Sequence, residues 1–102
     1  GQQIDGPTSK VLTLGNLKTK FEAFDWKVLE VENGNDMEEI LKVLDEAKSL
    51  TGQGQPICIL LKTGMGYGVD YMMGSHAWHG KAPNDDQLAK ALNQLEETLG
   101  DY

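Results

Sequence analysis

The sequence predicts an α/β fold organised around a parallel strand–helix–strand unit. Residues 26–31, WKVLEV, are rich in aromatic and β-branched side chains and read as a strand. Residues 56–63, PICILLKT, form a near-continuous apolar run, the pattern of a strand covered on both faces in a parallel sheet. Between them Met37, Ile40, Leu41, Leu44, Ala47 and Leu50 repeat at helical spacing, with Glu38, Glu39, Asp45 and Glu46 on the other faces. A crossover of this kind is expected to be right-handed.

The remaining elements follow from local chemistry. Residues 1–10, GQQIDGPTSK, are turn-forming and punctuated by Asp5-Gly6-Pro7. Asn16 is placed to cap a helix carrying Leu17, Phe21 and Phe24 on one face, ending near Asp25. ENGN makes a turn, and Asp36 with Glu39 resembles a capping box at the start of the next helix. LTGQGQ ends that helix with glycines. Residues 64–83 show no period, and a loop that long inside a compact domain is usually functional or disordered. Order in this loop is expected only when a ligand or a partner chain covers it. A last helix starts at Asn84, lines up Leu88, Leu92, Leu95 and Leu99, and stops at Gly100. Two strands make a poor sheet, since open sheets usually hold about four to six. A third strand in SKVLTLG, 9–15, or strands on polypeptide outside this chain would complete it.

Composition narrows the function. At 102 residues the chain is one domain or less. Its net charge of −7 argues against nucleic-acid and anionic-membrane partners. Any phosphate ligand then needs local positive charge or a bridging metal. Cys58 is the single cysteine, which excludes an internal disulfide and fits a reducing, cytoplasmic setting. No run of 18 apolar residues and no signal-peptide pattern is present. The chain opens on Gly1 instead of Met, as a processed, trimmed or excised piece would, and tag removal leaves the same trace.

Two segments carry candidate chemistry. KTGMGYG, 62–68, follows a strand, where open α/β sheets bind ligands, and its glycines let backbone approach a ligand. It lacks the Gly-Lys-Ser/Thr of a phosphate-binding P-loop, and no helix follows it as a dinucleotide fingerprint requires. YMMGSHAWHGKAPN, 71–84, holds both histidines, His76 and His79, around Trp78. A zinc site needs three or four ligands, and Cys58 on a buried strand is the only other soft candidate. Ser75 lacks the nucleophile elbow of a hydrolase. The imidazoles either cap backbone groups or donate hydrogen bonds to an anionic ligand.

Four segments, QIDGPTS, KFEAFDWKVLEVENGND, KTGMGYG and GSHAWHGKAPNDDQL, occur in that order and together resemble the second part of the thiamine-diphosphate-binding domain of transketolases. AWHGKAPND resembles the bacterial form split into N- and C-terminal subunits. The resemblance spans nearly the whole chain and implies a partial three-layer parallel sheet with a βαβ core and flanking helices. It implies transfer of a two-carbon ketol unit between sugar phosphates, with thiamine diphosphate and Mg²⁺ or Ca²⁺ as cofactors. The main-chain carbonyl of Gln2 matches a metal ligand; the family's Asn and Gly-Asp-Gly ligands fall upstream of Gly1. Ile4 and Met65 match apolar residues against the thiazolium ring, beside Gly66. His79 matches a histidine that contacts diphosphate and substrate hydroxyls, and His76 its neighbour. The activating glutamate belongs to a pyrimidine-binding domain, here on a partner subunit.

Two departures stand out: Asp25 where glycine is usual, and the bulky Trp78, which would seal the site or pack at a subunit contact. The chain alone is expected to be inactive and, with uncovered strand edges, to self-associate. The alternatives are another thiamine-diphosphate enzyme, such as a deoxyxylulose-phosphate synthase or a 2-oxo-acid dehydrogenase component, and a non-catalytic α/β module.

Overall fold

The computed structural model describes residues 1–96; Leu99 and Gly100, expected on the last helix and at its stop, lie outside them. The chain begins with a small antiparallel pair, β1 (Gln2–Gln3) and β2 (Gly6–Pro7), joined through Ile4 and Asp5. A one-turn helix, α1 (Thr8–Val11), follows directly. Of the two ways to complete the sheet, a third strand at 9–15 is therefore absent from the described residues. Pro7 fixes an extended approach to α1, and the stretch after it makes no strand pairing.

Helix α2 (Leu17–Glu22) starts as expected, with the Asn16 side chain accepting from the Thr19 N–H at 3.0 Å. Its end explains Asp25. The Trp26 N–H donates to the Phe21 carbonyl at 3.1 Å and the Asp25 N–H to that of Glu22 at 2.9 Å, the two bonds of a Schellman motif. The Trp26 and Phe21 rings meet edge-on at 5.6 Å, supplying the apolar contact that accompanies this motif. The residue at the turn must be left-handed, and Asp25 has φ +61°. Phe24, expected on the packed face, is instead 79% exposed, because the chain has already left the helix there.

An aspartate at positive φ costs energy that glycine avoids. Substituting Asp25→Gly is expected to stabilise the fold by up to about 1 kcal/mol, the strain relieved less the added chain entropy. A thermal melt checks the sign: Tm should rise for Asp25→Gly and fall for Asp25→Val.

The central unit is β3 (Lys27–Val31), α3 (Met37–Ser49) and β4 (Ile57–Leu61). The strands pair in parallel, with Lys27 opposite Ile57 and Val31 opposite Leu61. Side chains alternate along β3. Leu29 and Val31 pack with Val43 of α3, joined by Ala47, Leu50, Ile57 and Ile59. Glu30, on the other face, pairs with Lys18 of α2 at 2.8 Å. A helix therefore lies against each face of β3. Two expectations change here. On α3 the buried residue is Val43, whereas Met37, Leu41 and Leu44 are exposed: the helix carries two adjacent apolar stripes and only one meets the sheet. Strand β4 is only half-buried, and Leu61 is exposed, because the sheet has two strands among the described residues.

Helix α3 is capped by Asp36, whose Oδ1 accepts from the N–H groups of Glu38 and Glu39 at 2.9 and 3.1 Å. Glu39 does not close a capping box on Asp36; its carboxylate accepts from the Asn33 N–H at 3.3 Å, tightening the turn instead. That turn docks on the end of β4. Gly34 donates to the Lys62 carbonyl at 2.9 Å, and a Cβ at Gly34 would stand 2.9 Å from the Lys62 nitrogen. Lys62 in turn holds Glu32 at 2.9 Å, and that hydrogen bond with its charge raises the lysine pKa. The pair is exposed and adds little to stability.

The last helix, α4 (Asp85–Leu92), has the full capping box of Asn84 and Gln87. It ends at Leu92, so Leu95 lies beyond it. No helix among the described residues is long and apolar enough to cross a membrane. The chain exposes 8012 Å², against about 5,700 Å² for a compact monomer of its mass.

Candidate functional site

The site is built where β4 ends. Asn35, at the close of the turn after β3, accepts from the Gly64 N–H at 2.7 Å. This bond aims the 64–83 loop as it leaves the strand. The loop then folds on itself. The Val69 N–H donates to the Gly66 carbonyl at 3.2 Å, and the Gly74 N–H to the Met65 carbonyl at 2.9 Å. Gly66 has φ +69°, and a Cβ there would fall 2.5 Å from the Met72 carbonyl oxygen. Only glycine admits this closure.

Helix α4 backs the loop. The Asp70 N–H donates to the Gln94 side-chain oxygen, and the Gln94 amide donates to the Asp70 carboxylate, each at 2.8 Å. The Tyr71 hydroxyl donates to the Gln87 carbonyl at 2.7 Å. Val69 and Ala91 are both buried. His76 and Trp78 begin and end a single 3₁₀ turn, His76–Trp78, closed by the His79 N–H donating to the His76 carbonyl at 3.0 Å.

The loop meets the N-terminal hairpin across a cleft of about 240 Å³ lined by Gln2, Pro7, Gly74, Ser75 and His76. A Cβ placed on Gly6 would lie 3.9 Å from His76 Nε2, an ordinary contact distance, so the hairpin backbone runs beside the imidazole. The Thr8 N–H donates to the Gly1 carbonyl at 3.0 Å. Bonded and non-bonded pairs alternate in an antiparallel ladder, and Pro7 has no N–H to give. The Gln2 carbonyl is thereby left out of the β1–β2 ladder.

Of the residues singled out in the sequence, the structure brings Gln2 and His76 into one cleft, and joins Met65 to it through Gly74. Gly66 shapes the same loop. Ile4, 58% exposed at the hairpin tip, and His79, also exposed, are not among the lining residues. Pro7 and Ser75 as lining residues, and the Asp70–Gln94 clasp, had no signal in the sequence. These contacts join residues 24 apart or more distant elements, and no local pattern encodes them.

Histidine and an unladdered carbonyl suit the diphosphate end of a cofactor and one coordination position of a hard cation. No group of three His, Cys, Asp or Glu able to hold a metal occurs among the described residues. The described residues thus fit the diphosphate of an organic cofactor in part and supply no complete metal site. A larger cleft of about 440 Å³ runs along β3 and α3, but Glu30, Glu32, Glu39 and Glu46 line it beside Lys42. Its net negative charge would repel a diphosphate.

The family described as transketolase, thiamine diphosphate binding domain, matches residues 2–99. An apulose-4-phosphate transketolase subunit of Phocaeicola vulgatus is 33% identical over 95% of this chain and 34% of its own length. A transketolase of Streptococcus pyogenes is 35% identical over 97% of this chain and 13% of its own length. A transketolase of Geobacillus stearothermophilus is 41% identical over 78% of this chain and 11% of its own length. The chain spans about a third of the length of the apulose-4-phosphate relative and about an eighth of the Streptococcus transketolase. With a family match across residues 2–99, this chain belongs to the transketolase family, within its thiamine-diphosphate-binding domain.

Proposed function

We propose that this chain is the second part of the diphosphate-binding domain of a transketolase-type enzyme, one that moves a two-carbon ketol unit between sugar phosphates. The observation that supports the reading is the cleft between the hairpin and the loop, lined by both Gln2 and His76. Thiamine diphosphate supplies, when bound, the carbon that carries the two-carbon unit. The residues of this chain hold and orient. His76 donates to the diphosphate, Gly66 brings loop backbone close, and Ile4 and Met65 give apolar walls. His79 is the catalytic residue, donating to hydroxyls of the sugar. The Gln2 carbonyl is one ligand of a Mg²⁺ or Ca²⁺ ion whose other ligands come from outside this chain.

The chain is inactive alone in this reading. Its two-stranded sheet with a helix on each face of β3 is a portion of a three-layer sheet completed by further strands. Its excess exposed surface is covered by the rest of that domain and by a partner that supplies the pyrimidine-binding domain. A relative named as one subunit of a transketolase fits a split enzyme of this kind. The complete protein is cytoplasmic.

Calorimetric titration tests this. Thiamine diphosphate with Mg²⁺ should bind the complete polypeptide with its partner subunit in place. The same titration should leave this chain alone without measurable heat. Tight binding to the isolated chain overturns its incompleteness; no binding to the complete protein overturns the function. Donor assays separate the family's chemistries: turnover of xylulose phosphate supports the reading, and turnover of pyruvate alone replaces it.

A further inference from the structure

Trp78 lies between the two histidines, yet its side chain turns into the fold. The indole N–H donates to the Tyr71 carbonyl at 2.9 Å in a part-buried setting. The indole and Tyr71 rings meet at 5.1 Å, tilted by 60°. The Lys81 ammonium stands 4.9 Å from the centre of the indole ring, close enough for a cation–π contact. Tyr71 is itself fixed to α4 by its hydroxyl, 2.7 Å from the Gln87 carbonyl. Next to it, Asp70 is fixed by Gln94. One side chain therefore ties the 3₁₀ turn that carries His76 and leads into His79 to a part of the loop that a helix already holds.

Among the described residues, neither imidazole has an equivalent anchor. His79 is exposed, and the hydrogen bond that holds it here is its backbone bond to His76. An exposed imidazole directly after a three-residue turn is only as well placed as the turn. We infer that Trp78 is a positioning residue: its indole, clasped between Tyr71 and Lys81, sets where His79 stands relative to the cleft. This rests on the catalytic role given to His79 above. It also answers why a bulky ring occupies that position. The ring packs within the loop, against Tyr71 and Lys81.

Phenylalanine at 78 keeps an aromatic ring against Tyr71 and loses only the N–H donor, so the fold survives with a looser turn. A neutral hydrogen bond of this kind corresponds to about a fivefold to tenfold effect when lost. Acting through His79, the loss has nothing to act on once His79 is gone.

A double-mutant cycle in the complete protein, with its partner subunit, tests this. Trp78→Phe, His79→Ala and the double variant are compared for kcat/KM on a ketose phosphate donor, each with its Tm. Trp78→Phe alone should lower kcat/KM by about fivefold to tenfold with Tm nearly unchanged. In the His79→Ala background the same change should cost less than about twofold. Equal losses in both backgrounds make Trp78 structural and overturn the inference. So does a Trp78→Phe variant with unaltered kcat/KM. If His79→Ala itself costs nothing, the catalytic reading of the loop fails first and the inference falls with it. The two failures are therefore told apart by the single variants.

Discussion

His79→Ala in the complete enzyme lowers kcat/KM by about 10- to 100-fold, the loss expected when a donor to a charged or developing-charge group is removed. It leaves Tm close to that of the wild type. His79 is exposed, and its hydrogen bond within the loop uses the backbone N–H, which alanine retains. Truncation leaves no cavity and strands no buried partner, so the stability change should stay within about 0.5 kcal/mol. Steady-state kinetics beside a thermal melt separate the two quantities. Parallel loss of Tm and activity would make the histidine structural, and preserved activity would remove it from the site.

Gly66→Ala is expected to do the reverse, harming the loop's shape first. The residue sits at φ +69°, where a non-glycine side chain costs about 1–2 kcal/mol. The added methyl would also meet the Met72 carbonyl carbon at 2.6 Å and its oxygen at 2.5 Å, backbone atoms that cannot swing aside. The closure from Val69 to Gly66 and from Gly74 to Met65 must then open. Gly74 and Ser75 line the cleft, so its wall moves. Cofactor affinity should fall by about tenfold or more, the equivalent of roughly 1.4 kcal/mol spent on restoring the wall. Gly80→Ala is the control. Gly80 also has positive φ, +78°, but a Cβ there meets nothing within 4 Å. Its backbone strain lowers stability without moving the cleft wall, so affinity should be nearly preserved. Calorimetry on both variants checks this, and equal losses would deny Gly66 its special place.

The parts of this molecule legible in the sequence are those set by short-range chemistry. Asn16, Asp36 and Asn84 cap where their side chains dictate, and Asp25 takes the left-handed turn that its neighbours demand. The strand, helix, strand order and the parallel pairing follow from periodicity and from PICILL. What periodicity could not resolve was which apolar stripe of α3 would be buried. Met37, Leu41 and Leu44 are as apolar as the stripe holding Val43, and only the position of the sheet decides between them. PICILL predicted cover on both faces, but burial is a property of neighbours, and two strands provide few. In the site, Gln2 and His76 line one cleft, whereas the Asp70–Gln94 and Trp78–Tyr71 links depend on the folded path of the loop.

The clasp between Asp70 and Gln94 has a practical corollary for anyone trimming this polypeptide. Gln94 lies past the end of α4, where a sequence-based boundary would readily cut. A fragment ending at Leu92 would keep the whole helix and both imidazoles yet lose the amide that grips Asp70. Helical content by circular dichroism would report such a piece as intact, although its ligand loop would be moored by Tyr71 without Asp70.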